Sequence, residues 1–166
     1  MKVPLAYGIA APIILALFTL GCEYHEPLEP PEPSFGMEKM LVSEGMTFRY
    51  KYWKDGIIQI TGYTGKTDAT VPQTIDGMPV RVGTKAFHKM NLVSLTIPPG
   101  VVGFGYAAFK GNLLTEIEIP SGIKSIADSA FMQNKLSKVV MAEGVQIIGP
   151  CAFELNSIKS IEIPLA

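Results

Sequence analysis

Cysteine is nearly absent from this chain, with Cys22 and Cys151 the only two in 166 residues. Two cysteines are too few for a disulfide framework, and the two histidines, His25 and His88, have no second ligand at metal spacing. Charge is scarce as well. Charged residues make up 17% of the chain, the formal net charge is −1, and no cluster of lysine and arginine builds a nucleic-acid footprint. No nucleic-acid partner is expected. There is one tryptophan, Trp53, and one long hydrophobic run, at the amino terminus. Apolar residues are plentiful at 48%, too many for a disordered chain, and the length suits one modest domain with accessory segments.

The single long apolar run starts after Lys2 and extends from Val3 to Leu20, ending in Thr19-Leu20-Gly21-Cys22. A basic start, an apolar stretch and small residues at its end are the parts of a secretory signal. Interrupted by Pro4 and Pro12, the run barely matches the ~30 Å of hydrocarbon that a transmembrane helix must cross. Phe18-Thr19-Leu20-Gly21-Cys22 resembles the lipobox of bacterial lipoproteins, with Thr19 where leucine is commonest. The resemblance implies cleavage before Cys22, a diacylglyceryl group on its sulfur and attachment to a membrane. From Glu23 to Gly36 the sequence reads EYHEPLEPPEPSFG, which cannot bury a core and favours extended polyproline conformations. It reads as a tether. Thr47 to Trp53 and Ile57 to Thr61 then flank Lys54-Asp55-Gly56, and Asp-Gly between two β-rich runs predicts a hairpin, here an N-terminal cap.

The rest of the chain repeats. Ala-Phe occurs at Ala86-Phe87, Ala108-Phe109, Ala130-Phe131 and Ala152-Phe153, at a spacing of 22 residues, and a fixed period of this size marks a solenoid. Four apolar columns keep the same step: Leu92, Leu114, Leu136, Ile158; Leu95, Ile117, Val139, Ile161; Ile97, Ile119, Met141, Ile163; and Val82, Phe104, Ile126, Ile148. Stacked in coils, each becomes a ladder in one continuous core, with the four phenylalanines as a spine. Gly83, Gly105 and Gly149, with Ala127 in their column, mark one bend, and Gly100, Gly122 and Gly144 another. Asn112, Asn134 and Asn156 follow the phenylalanines by three, where a buried amide can satisfy turn backbone, while Met90 in the first copy cannot. The first repeat is longer than the others.

The pattern L-x-x-L/I-x-I-P followed by G-V/I-x-x-I-G-x-x-A-F-x-x-N, seen in Leu114 to Pro120, Ser121-Gly122-Ile123 and Ala130-Phe131, resembles the BspA-type leucine-rich repeat. The stretch ITGYTGKTDATVPQTIDGMPV, from Ile60 to Val80, is similar to that family's opening repeat. The resemblance implies a mainly β, right-handed leucine-rich solenoid with an N-terminal β-hairpin cap, on a bacterial surface or secreted protein that adheres to host matrix or bacterial surface proteins. It carries no shared catalytic residues and no cofactor. The organisation expected is a signal peptide over 1–21, lipidated Cys22 and tether over 22–45, and a repeat domain over 46–166, with cap 46–66 and repeats 67–166. The envelope, at the outer membrane or cell surface, is the expected location.

Strand alternation sends the residues between the apolar columns to the opposite face. That open face is the candidate binding surface, with Ser94, Glu116, Lys138 and Ser160 in one row and Thr96, Glu118, Val140 and Glu162 in the next. Glu116, Glu118 and Glu162 have carboxylates for acid and base chemistry, but an open solvated sheet lacks the burial that raises a pKa, and Glu116 beside Lys138 predicts an ordinary ion pair. The protein is read as non-catalytic, with a protein-binding module as the first hypothesis and a structural or assembly subunit of the envelope as the alternative. His25 and His88 are read as exposed and inert, Cys151 as a small residue in the column of Lys85, Ala107 and Ser129, and no disulfide is expected if Cys22 is acylated. Trp53, Tyr50, Tyr52 and Tyr63 read as cap packing rather than a binding patch. The run from Ile161 to Ala166 is a strand with nothing after it, which reads as a truncated chain or as an end that meets a partner or a second copy.

Overall fold

The structure, a computed structural model, describes Ile14–Leu15 and residues 35–162. Its start is antiparallel. Strand β2 (Phe35–Ser43) pairs with β3 (Met46–Tyr52), which pairs with β4 (Ile58–Thr64), Phe48 lying between Leu41 and Tyr63 in register. The Glu44-Gly45 and Asp55-Gly56 turns both hold φ positive at two successive residues, which is why acidic-Gly pairs occupy them. The hairpin expected around Lys54-Asp55-Gly56 is therefore present, and β2 adds a third strand ahead of it.

From β4 onward the chain coils. One wall is built from β4, β7 (Met78–Val82) and β9 (Val101–Phe104), parallel in that order, then β11 (Ser125–Ile126) and β13 (Ile147–Ile148), also parallel. The other wall has β5 (Asp68–Thr70) parallel to β8 (Ser94–Thr96), then β10 (Glu116–Ile119), β12 (Lys138–Met141) and β14 (Ser160–Glu162) in parallel. Two short strands stand outside this scheme. The strand β6 (Thr74–Ile75) folds back on β7, and β1 (Ile14–Leu15), inside the segment read as a signal peptide, runs parallel to β13. The result is the expected mainly β solenoid. Among the described residues no helix is long and apolar enough to cross a membrane.

The predicted columns form the core, apart from Ile161, which is exposed on the last strand, and Ile163, which lies outside the described residues. Phe109 and Phe131 stack at 5.0 Å, Phe131 and Phe153 at 5.6 Å, and Phe87 meets Phe109 at 5.3 Å. Tyr63 continues this spine into the cap, stacked on Phe87 at 4.8 Å, and Phe48 closes it from the side. Each such ring buried contributes on the order of 1.5–3 kcal/mol by area alone. A fifth column, Val80, Val101 and Ile123, is fully buried with Val145 partly so. It was not seen in the sequence because the bulge between Val80/Val82 and Val101/Phe104 shifts its step.

Between the two walls the Ala-Phe turns join coil to coil through a regular bond pattern. Backbone N–H groups of Lys85, Phe87 and Lys89 donate forward to carbonyls of Tyr106, Ala108 and Lys110, and the same three-bond pattern recurs from Ala107, Phe109 and Gly111, and from Ser129, Phe131 and Gln133. Two columns in this turn are left-handed: Lys85, Ala107, Ser129 and Cys151, and Lys89, Gly111, Gln133 and Leu155. At the bend just before, a Cβ on Gly105 would sit 2.6 Å from the Thr84 nitrogen, so close approach of coils explains that glycine.

The asparagine ladder satisfies the turn, but each rung serves the coil before its own. Asn112 Nδ2 donates to the Phe87 and Phe109 carbonyls, both at 2.8 Å, while its Oδ1 accepts from Met90 N at 3.0 Å and Leu92 N at 3.1 Å. Asn134 and Asn156 repeat the arrangement one and two coils on. Met90 needs no amide of its own, because Asn112 reaches back to its backbone.

Candidate functional site

The open wall places the two predicted rows side by side. Glu116 pairs in register with Lys138 and Lys138 with Ser160, while Glu118 pairs with Val140 and Val140 with Glu162. Ser94 and Thr96 head these rows one coil earlier, on β8. All are exposed except Lys138 and Val140, which are half-buried. Inward neighbours Leu95, Ile117 and Val139 are buried, so alternation along each strand separates a core face from a solvent face.

Two residues belong to the rows that sequence spacing did not supply. Asp68 and Thr70 on β5 pair with Ser94 and Thr96, and Asp68 Oδ1 accepts a 3.0 Å hydrogen bond from Ser94 Oγ. They were missed because they lie 26 residues back rather than 22, the surplus being the β6–β7 excursion around the Asp76-Gly77 turn. The face thus runs over five strands.

Its electrostatics differ from expectation in one respect. Lys138 Nζ reaches diagonally to Glu162 Oε1 at 2.9 Å rather than across to Glu116. That bond, then the Glu162 charge and more distantly Glu116, raises the Lys138 pKa. Such an exposed pair is screened by solvent and adds little to stability, but among the described residues it leaves Glu116 and Glu118 without an ion pair at the middle of the wall. Among the described residues no group of histidine, cysteine or acidic side chains is placed to hold a metal.

The other sequence candidates fall elsewhere. Tyr50 and Tyr63 are buried core residues, as cap packing requires. Tyr52 is half-buried, its hydroxyl accepting from Lys39 Nζ at 3.0 Å and donating to Asp76 Oδ2 at 2.8 Å, and the Arg81 guanidinium covers the Trp53 ring at 5.0 Å. His88 is half-buried rather than exposed, and burial followed by the charges of Lys89, Lys110 and Lys85 lowers its pKa. Cys151 is disulfide-bonded, against the expectation of no such bond in a chain with two cysteines of which one is acylated. Cys22 and His25 lie outside the described residues, as do the tether up to residue 34 and Ile163 onward.

Comparison with known proteins agrees with this geometry. A leucine-rich repeat protein from Bacteroides capillosus ATCC 29799 superposes with a TM-score of 0.60 at 22% identity, over 76% of this chain and 99% of its own. The leucine-rich repeat protein of T. pallidum gives a TM-score of 0.57 at 28% identity, over 74% of this chain and 71% of its own. No curated protein matches the sequence. The profile of the BspA type leucine rich repeat region matches residues 67–166 in 6 copies. A chain with this coil, this asparagine ladder and this match over most of its length belongs to the BspA-type leucine-rich repeat family.

Proposed function

We propose that this protein is a non-catalytic binding module, held at the bacterial envelope by lipid on Cys22, that engages a host matrix or bacterial surface protein through its open β-wall. The observation that carries the reading is the wall itself: two rows of exposed or half-buried, chemically mixed side chains over five strands, with Asp68, Thr70, Ser94, Thr96, Glu116, Glu118, Lys138, Val140, Ser160 and Glu162 free of any core role. Strands about 4.8 Å apart present a regular grid to a protein partner, and nothing on it is buried enough to tune a catalytic carboxylate.

The test of the face is capture. The mature protein, purified in detergent and immobilised, is exposed to extracellular-matrix proteins and, separately, to envelope extract. Matrix capture that falls at least tenfold in the combined Glu116→Ala, Glu118→Ala, Lys138→Ala variant is expected. Matrix capture unchanged by those substitutions refutes the choice of face, and capture of envelope components alone favours the alternative role of a structural or assembly subunit.

Lipidation has its own measurement. A thioether-linked Cys22 and a Cys22 joined to Cys151 are mutually exclusive states, because the chain has no third cysteine. Intact mass with and without reductant separates them: a mass gain of diacylglycerol on Cys22 supports the anchor, and an unmodified Cys22 or an intact Met1 refutes it.

A further inference from the structure

The turn edge of the first two coils carries a charge cluster that the sequence does not advertise, because its members are spread over two repeats. Lys85, His88 and Lys89 project from the first Ala-Phe turn, and Lys110 occupies the position of His88 on the next coil. Their proximity is visible in packing. A Cβ on Gly111 would stand 3.0 Å from Lys89 Cγ and 3.8 Å from His88 Cδ2, so the Lys89 side chain lies across the second coil beside the imidazole. Lys85 Nζ sits 5.6 Å from the Tyr106 ring centre.

Among the described residues neither Lys89 nor Lys110 has an ion pair. Charges within one Debye length, about 8 Å at physiological salt, act on an approaching ion together. On later coils the same positions hold Ala107, Ser129, Met132, Gln133 and Glu154, so the cluster is confined to the cap end.

We propose that Lys85, His88, Lys89 and Lys110 form a docking surface for an acidic polysaccharide bearing sulfate groups, separate from the open wall and independent of its partner. Three features select this class. The local backbone N–H groups of Lys85, Phe87 and Lys89 are already donated to the next coil, so recognition rests on flexible side-chain charge, which suits a repeating polyanion better than a single enclosed phosphate. Tyr106 is 3% exposed, leaving no ring beside the lysines on which a base could stack, which disfavours single-stranded nucleic acid. The carboxylates of Asp68, Glu116 and Glu118 lie on the other wall, which steers a polyanion to this edge.

The charged groups acting on His88 are Lys85 and Lys89 on its own turn and Lys110 on the next coil, with no described carboxylate among them. A bound sulfate would therefore favour its protonated form, and binding strengthens as pH falls from 7.5 to 5.5. Three lysine contacts give a salt slope near −2, so affinity falls roughly 20-fold between 50 and 200 mM salt.

The experiment is binding of a heparin-derived dodecasaccharide to the full chain, read by calorimetry or surface plasmon resonance. The combined Lys85→Gln, Lys89→Gln, Lys110→Gln variant is expected to lose at least tenfold, and Lys124→Gln, Lys135→Gln, Lys159→Gln, with the same charge change elsewhere, less than twofold. Arginine at positions 85, 89 and 110 should retain binding, which separates lost charge from lost fold. No binding by the wild type at 100 mM salt, equal loss in both glutamine triples, or tighter binding to phosphatidylglycerol vesicles than to the saccharide overturns the proposal.

Discussion

Replacing Asn112 by alanine strips three backbone groups in the core, and replacing Asn134 strips one. Met90 N and Leu92 N have Asn112 Oδ1 as their acceptor, and the Phe87 carbonyl has Asn112 Nδ2 as its donor, with no other partner among the described residues. The fourth bond is insured, because the Phe109 carbonyl also accepts from Asn134 Nδ2 at 3.1 Å. A buried polar group left unpaired costs about 1–3 kcal/mol, so with partial relaxation Asn112→Ala should lose about 3–5 kcal/mol. Asn134 is nearly as buried, at 7% against 2% exposure. Yet all three of its carbonyl partners keep another donor, Asn112 for Phe109, Asn156 for Phe131 and the Gly111 N–H for Met132, and only Leu114 N is orphaned, from a bond already 3.3 Å long. Asn134→Ala should lose about 1–2 kcal/mol. Urea denaturation of the full chain, followed by far-ultraviolet circular dichroism and Trp53 fluorescence, measures both, and coincident transitions license the comparison. Equal losses, or a larger loss for Asn134→Ala, would refute the backward-reaching ladder.

Gln133 is exposed and left-handed at φ 57°, in the column where Gly111 stands, so Gln133→Gly should stabilise by about 1 kcal/mol, seen as a higher urea midpoint. Phe109→Ala removes a fully buried ring stacked between neighbours and should cost about 3–5 kcal/mol, whereas Phe153→Ala, with one ring partner described, should cost less, both read from denaturation midpoints. His88 titrates below its ordinary 6.5 because of burial and then the three lysines; the unfolded chain therefore takes up the proton first as pH falls, stability declines from about pH 6.5 down to the folded pKa, and His88→Gln should flatten that decline in a series of melts.

The period made most of the architecture legible. Once Phe87, Phe109, Phe131 and Phe153 fix the phase, the inward columns and both rows of the open wall follow by addition, and they lie where the spacing puts them. What escaped is what breaks the period. Asp68 and Thr70 stand a longer step away, Val80 and Val101 are offset by a bulge, and Tyr63 joins the aromatic spine without being phenylalanine. Side-chain direction escaped too: Lys138 had neighbours on both sides, and the strand register alone does not say that it turns to Glu162. The lysine cluster needed three-dimensional placement, since the Lys89 side chain lies over Gly111, the residue after Lys110 on the next coil.

The forward-donating bonds of the turn edge give the molecule an electrical direction. With every N–H of the repeating three-bond pattern pointing away from the cap, the peptide units there are aligned, and their carbonyl ends face the cap. A peptide carries a dipole of about 3.5 D, and aligned units sum to partial charges at the two ends of the array, as they do along a helix. The outward column that begins with His88 obeys that polarity. It runs His88, Lys110, Met132, Glu154, with its lysine toward the carbonyl end and its glutamate at the amide end. Each added coil would lengthen the array without changing its sense, so a repeat protein of this kind acquires a permanent axial field from its backbone, and surface charges can be matched to it by position along the stack.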